Sequence, residues 1–218
     1  MRPHDVCIPP FGLPGGLSVP GNPRGLIVFA HGSGSSRFSP RNTAVAEALN
    51  ERGFATLLFD LLTPQEEQDR ANVFDVGLLA ERLIAAVDWL ADQTRAIASL
   101  PVGLFGASTG AAAALMAAAR LPDRIAAVVS RGGRPDLAGE ALRLVRAPTL
   151  LIVGGADFGV IELNEEALDR LRCPKALEIV PGATHLFPEP GAMEAVIEHA
   201  GGWFELYLQA PGSVRAAS

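Results

Sequence analysis

Cysteine is scarce in this chain. Of 218 residues only Cys7 and Cys173 are cysteines, in no Cys-x-x-Cys or histidine-associated spacing, which excludes a disulfide framework and a zinc signature. Reduced thiols in a cytoplasmic protein are the expectation. No run of about 18 uncharged apolar residues occurs, so no membrane-spanning helix is expected. Met1-Arg2-Pro3-His4-Asp5 leads into Pro- and Gly-rich sequence rather than the apolar core of an export signal. Positive charge is also short: 18 Lys and Arg stand against 24 Asp and Glu, mostly dispersed, which removes the electrostatic footprint of a nucleic-acid binder. Internal repeats and low-complexity linkers are missing. What is present is 49% hydrophobic content, enough for one sizeable core. A single domain over 1–210 with a disordered tail at 211–218 is expected; oligomeric state is left open.

Residues 5–23 carry five prolines and four glycines between short apolar pieces, as edge strands joined by turns do. Leu26–Ala30 is a continuous apolar run, the mark of a strand covered on both faces. A helix follows from Pro40 to Arg52, with Ser39 as N-cap and Gly53 at its end. Strands are read at Phe54–Phe59, at Pro101–Phe105, at Ile125–Ser130, at Thr149–Val153 and at Ala176–Val180. Between them lie a long helix over Phe74–Ser99, an Ala-rich helix over Ala111–Arg120, a short helix after Asp136, a helix over 161–171 and an amphipathic helix over Gly191–Leu208. Alternation of this kind implies an α/β fold with a mostly parallel, doubly wound sheet and helices on both faces. Ligands bind such sheets at the carboxyl ends of the strands.

One stretch there carries chemistry. Gly106-Ala107-Ser108-Thr109-Gly110 joins a buried strand to a helix, and a serine flanked by glycines at this spacing has the pattern of a nucleophile elbow. A serine hydroxyl becomes a competent nucleophile only when a base takes its proton and an acid orients that base. Among four histidines, His185 follows the last strand in a loop and is the best general base. Asp157, after the preceding strand, gives the order Ser, Asp, His; Asp136 is the alternative carboxylate. The acidic run Glu66–Asp69 reads as a solvated loop.

With His31-Gly32-Ser33-Gly34, the elbow, Gly155-Ala156-Asp157 and Gly182-Ala183-Thr184-His185 in view, the chain resembles an α/β-hydrolase of the dienelactone hydrolase-like group over nearly its whole length. It departs from dienelactone hydrolases proper in having serine where they have cysteine, which favours a general serine esterase. The resemblance implies a cofactor-independent hydrolase using Ser108, His185 and Asp157 on a small carboxylic ester or lactone. It implies the Thr109 and Ser33 backbone N–H groups as oxyanion donors, with His31 holding its loop. The segment between residues 130 and 149 is too short for a large lid domain. Acyl transfer or thioester cleavage by the same triad is the enzymatic alternative, and a non-catalytic ligand-binding module is the other.

Four arginines flank the same strand ends: Arg37 and Arg41 after the glycine-rich turn, and Arg131 and Arg134 after another strand. If they converge, they suit a substrate bearing a carboxylate or phosphate. Otherwise they tie loops together or face solvent.

Overall fold

The computed structural model describes residues 2–209; the predicted tail at 211–218 lies outside the described residues. One eight-stranded sheet runs through the chain. Its strands are β1 His4–Ile8, β2 Leu13–Ser18, β3 Leu26–Ala30, β4 Ala55–Phe59, β5 Val102–Ala107, β6 Ile125–Arg131, β7 Thr149–Gly154 and β8 Lys175–Val180. Their order is β1-β2-β4-β3-β5-β6-β7-β8. The first two join antiparallel at one edge, and β4 through β8 run parallel. The Pro- and Gly-rich start is thus the expected edge hairpin.

Among the described residues seven α-helices accompany the strands: α1 Pro40–Glu51, α2 Arg70–Phe74, α3 Val76–Ala91, α4 Arg95–Ala98, α5 Thr109–Arg120, α6 Val160–Arg170 and α7 Ala192–Tyr207. Strand alternation sorts the core into two layers. Val28, Leu104, Val128 and Leu151 face α3, α5 and α6, where Leu83, Ala114 and Ala167 meet them. Their neighbours Phe29, Phe105, Val129 and Ile152 face α1 and α7, where Val45, Leu49, Val196 and Phe204 pack. Helices therefore cover both faces of the sheet.

The long helix read over Phe74–Ser99 is two helices, α3 and α4, with Phe74 the last residue of α2. Asp75 caps α3, its carboxylate accepting the Leu78 N–H at 3.0 Å, and α3 stops at Asp92. Apolar periodicity runs across these breaks, while short polar side chains interrupt the backbone. The short helix after Asp136 is a 3₁₀ segment over Pro135–Leu144, broken at Gly139 where φ is +56°. Glu67, Gln68 and Asp69 are exposed, as the solvated reading of the acidic run requires, and Glu66 is the exception. Glu66 pairs with the buried Arg82 at 2.5 Å, whose guanidinium lies 3.4 Å from the centre of the Phe11 ring, and Asp69 caps α2.

Gly202 sits inside α7 on its exposed side, with no atom within 4 Å of where a β-carbon would be. Gly202→Ala is expected to raise stability by about 0.5–1 kcal/mol, because alanine loses less backbone freedom on entering a helix. Urea unfolding at neutral pH checks this.

Candidate active site

Ser108 lies between β5 and α5 with φ +51° and ψ −124°, a conformation that L-residues rarely adopt and that stores strain. Close packing holds it there. A β-carbon at Gly106 would lie 2.4 Å from Ala111 Cα, and one at Gly110 would lie 2.2 Å from the Ala30 carbonyl oxygen. Only glycine lets α5 start this close to the carboxyl ends of β5 and β3. Along α5, Ala111–Ala114, Ala117 and Ala118 are fully buried, and their small size lets the helix keep that approach. Gly110→Ala is expected to cost about 1–3 kcal/mol by overpacking, read as a lower urea midpoint.

The glycine-rich turn after β3 is brought to the elbow. A β-carbon at Gly32 would lie 3.6 Å from Ser108 Oγ. The Ser33 N–H donates to Thr109 Oγ1 at 3.0 Å. The amide that the resemblance assigns to the oxyanion is therefore beside Ser108, but its proton is engaged by the buried Thr109 side chain. His31 has the supporting part expected of it. Its Nε2 accepts the Leu61 N–H at 3.1 Å, so Nδ1 carries the proton and donates to the Gly32 carbonyl at 3.0 Å. Burial lowers its pKa, against weaker opposing effects of the Gly32 hydrogen bond, Asp60 and Glu67.

Asp157 and His185 meet. His185 Nδ1 lies 2.8 Å from Asp157 Oδ2, with the Asp157 side chain 11% exposed. The backbone enforces the meeting: Gly155 N–H donates to Val180 O at 2.8 Å and Ala156 N–H to Ala183 O at 2.9 Å. Asp136, the alternative carboxylate, is held elsewhere by Arg134 through two hydrogen bonds of 2.9 and 2.8 Å. The segment after β6 lies between serine and histidine. Arg134 N–H donates to Ser108 O at 3.1 Å, and a β-carbon at Gly132 would lie 3.7 Å from His185 Nδ1. Among the described residues no hydrogen bond joins Ser108 Oγ to the imidazole.

Two supporting residues escaped the sequence reading. Glu189 accepts from Thr184 Oγ1 at 2.6 Å and from Thr184 N–H at 3.1 Å, bracing the histidine loop; the Thr184 hydroxyl holds the Glu189 carboxyl below its ordinary pKa. Phe187 is buried at φ +54° and packs beneath Gly132. A glutamate five residues past a threonine carries no recognisable spacing signal, and a positive φ at phenylalanine is invisible in sequence. Neither cysteine joins the site: Cys7 is exposed and unpaired, and burial raises the pKa of Cys173.

The arginines divide. Arg37 pairs with Asp60, and its N–H donates to the same carboxylate at 2.7 Å. Arg134 is held by Asp136, which raises its pKa. Arg41 and Arg131 have no such partner among the described residues. Also among the described residues, no helix is long and apolar enough to cross a membrane, and no group of three His, Cys, Asp or Glu side chains is placed to hold a metal ion.

Comparison with known proteins agrees with the fold. A family model for the alpha/beta hydrolase fold matches residues 25–148. A dienelactone hydrolase structure from Anabaena variabilis superposes with a TM-score of 0.90 at 52% identity, over 96% of this chain and 100% of that one. Est1E from Butyrivibrio proteoclasticus shares the fold, with a TM-score of 0.77 at 19% identity over 94% of this chain and 98% of its own. Two Mycobacterium tuberculosis proteins provisionally named phosphoribosyl transferases are each 61% identical over 95% of this chain. The chain spans 46% of the length of each.

Because burial holds the His31 pKa below its ordinary value of 6.5, its contribution to stability is complete above that value. It is lost as pH falls from there toward the lowered folded-state value, since the unfolded chain takes up the proton first. Wild-type protein is therefore expected to lose more stability between pH 7.5 and pH 5 than His31→Gln, measured by urea unfolding at both pH values.

Proposed function

We propose that this chain, which belongs to the α/β-hydrolase family and within it is dienelactone hydrolase-like, is a serine hydrolase of small carboxylic esters or lactones. The observation that carries the reading is the 2.8 Å contact of His185 Nδ1 with Asp157, on loops that flank the strained serine of the elbow. A carboxylate there holds the imidazole in the tautomer that leaves Nε2 free to accept a proton.

In the proposed reaction Ser108 Oγ attacks the ester carbonyl as His185 Nε2 takes its proton. The tetrahedral oxyanion is held by backbone N–H groups at Thr109 and Ser33, which become donors to it once Thr109 Oγ1 yields the Ser33 amide. The intermediate collapses, the C–O bond to the leaving group breaks, and His185 gives that oxygen its proton. Water then attacks the acyl-serine, transferring a proton to His185, which returns it to Ser108 as the acid leaves. The Oγ to Nε2 contact closes as substrate binds, in keeping with the looser catalytic hydrogen bonds of ligand-free sites.

The serine, histidine and aspartate are suited to acyl chemistry and do not fit the transferase name of the mycobacterial relatives. That name belongs to proteins of which the chain spans less than half, and the activity it denotes need not reside in the shared part. Ser108→Ala is expected to abolish hydrolysis of a short-chain 4-nitrophenyl ester. Asp157→Asn is expected to lower kcat by about 10⁴-fold, whereas Asp136→Asn retains most of the activity. Equal losses in the two aspartate variants would contradict the assignment.

A further inference from the structure

The β1–β2 hairpin at the antiparallel edge of the sheet is packed unequally on its two faces. On one face Ile8, Leu13 and Leu17 join the core with Leu79 and Leu83 of α3. On the other face α1 lies over β4, and a recess of about 180 Å³ opens between that helix and the hairpin. Gly16 makes the room. It stands between Asp5 of β1 and Leu58 of β4 in one cross-strand row, and a β-carbon there would lie 3.1 Å from Pro3 Cβ. Leu58, Ala46 and Phe38 supply apolar walls. A cavity of about 150 Å³ is enough to hold benzene, so one ring or a short chain fits here.

The polar groups on the recess are mostly acceptors without donors. Ser18 is 7% exposed and shares the face of Gly16 by strand alternation; its hydroxyl makes no hydrogen bond among the described residues. Thr56 stands opposite it in register and is buried. Its Oγ1 accepts from Asn50 Nδ2 at 3.0 Å. The same Nδ2 donates to the Phe54 carbonyl at 2.9 Å, while Asn50 Oδ1 accepts nothing among the described residues. At the rim the Asp5 and Glu47 carboxylates are exposed and form no ion pair. The cation among the lining residues, Arg37, is held by Asp60. Buried hydroxyls without partners are costly, and the unpaired charges here are both negative. A ligand that donates hydrogen bonds and carries positive charge is complementary on both counts.

We propose that this recess binds a small organic ammonium ion, its apolar part against Leu58 and Ala46 and its N–H donors toward Ser18, Asn50 and the two carboxylates. The assignment goes beyond the hydrolase reading and does not depend on it. The recess is also separate from the elbow. Phe38 lines it and lines the recess beside the glycine-rich turn, so segment 36–39 stands between the two.

Isothermal titration calorimetry of the full chain with 2-phenylethylammonium, and with 2-phenylethanol as its uncharged counterpart, tests the site. The ammonium ion is expected to bind with a Kd of about 1 mM or tighter. It is expected to bind about fivefold more tightly than the alcohol, as exposed charge pairs allow, with a preference that falls as salt rises. Asp5→Asn combined with Glu47→Gln is expected to equalise the two ligands and to fold normally, since both side chains are exposed. Ser18→Ala is expected to weaken both by about threefold or more. Gly16→Val, whose side chain fills the recess, is expected to abolish binding of both; if it does not fold, the doubly neutralised variant decides alone. His185→Ala is expected to bind the ammonium ion as wild type does. No saturable binding of the ammonium ion, or a preference unchanged in the doubly neutralised variant, would overturn the site. So would loss of binding in His185→Ala, which would move the ligand to the catalytic edge. None of these readouts requires turnover, so a failure of the hydrolase reading leaves the test intact.

Discussion

The approach of the first turn of α5 to the carboxyl ends of β3 and β5 is the constraint on which the site depends. With Gly110 against the Ala30 carbonyl and Gly106 against Ala111, the chain turns from strand to helix in one strained residue, and that residue is Ser108. The same approach puts Thr109 under the turn after β3, so that its hydroxyl receives the Ser33 amide. A wider helix start would release the strain at the serine and separate it from the donors beside it. The run of alanines along α5 serves this spacing as much as it serves helix propensity.

A second tie works through the main chain. The turn after β7 and the loop after β8 are joined by backbone hydrogen bonds at Gly155 and Ala156, and this fixes the distance between Asp157 and His185. Glu189 braces the loop from its far side. The segment from Arg131 to Arg134 stitches the two halves together, touching the Ser108 peptide on one side and the histidine loop on the other. Precision comes from backbone contacts, which leave the side chains of Ser108 and His185 free of structural duties in the main-chain ties. The charges around them are ordered too: Asp60 holds Arg37 and Asp136 holds Arg134 in structural pairs.

Much of this was legible in the sequence because the signals were local. Continuous apolar runs marked the buried strands, and the glycine spacing around Ser108 marked the elbow. The order of Asp157 and His185 after successive strands marked their shared edge. What was not legible depended on which polar side chain meets which. The helix read through to Ser99 stops at Asp92, although its apolar period continues past that point. Glu66 left the supposed solvated loop for Arg82. The four arginines looked alike in sequence, and only distances to Asp60 and Asp136 separate the paired from the unpaired. The engagement of the Ser33 amide by Thr109 Oγ1 likewise belongs to tertiary geometry.

In the proposed reaction, strain, glycine packing and the Asp157–His185 pair make Ser108 a nucleophile. Mass-spectrometric mapping of the protein after reaction with a fluorophosphonate tests it most directly, because the probe bonds covalently to an activated serine. One adduct per chain is expected, on the peptide containing Ser108, with none in Ser108→Ala. An adduct on another serine, or unchanged labelling in that variant, would contradict it.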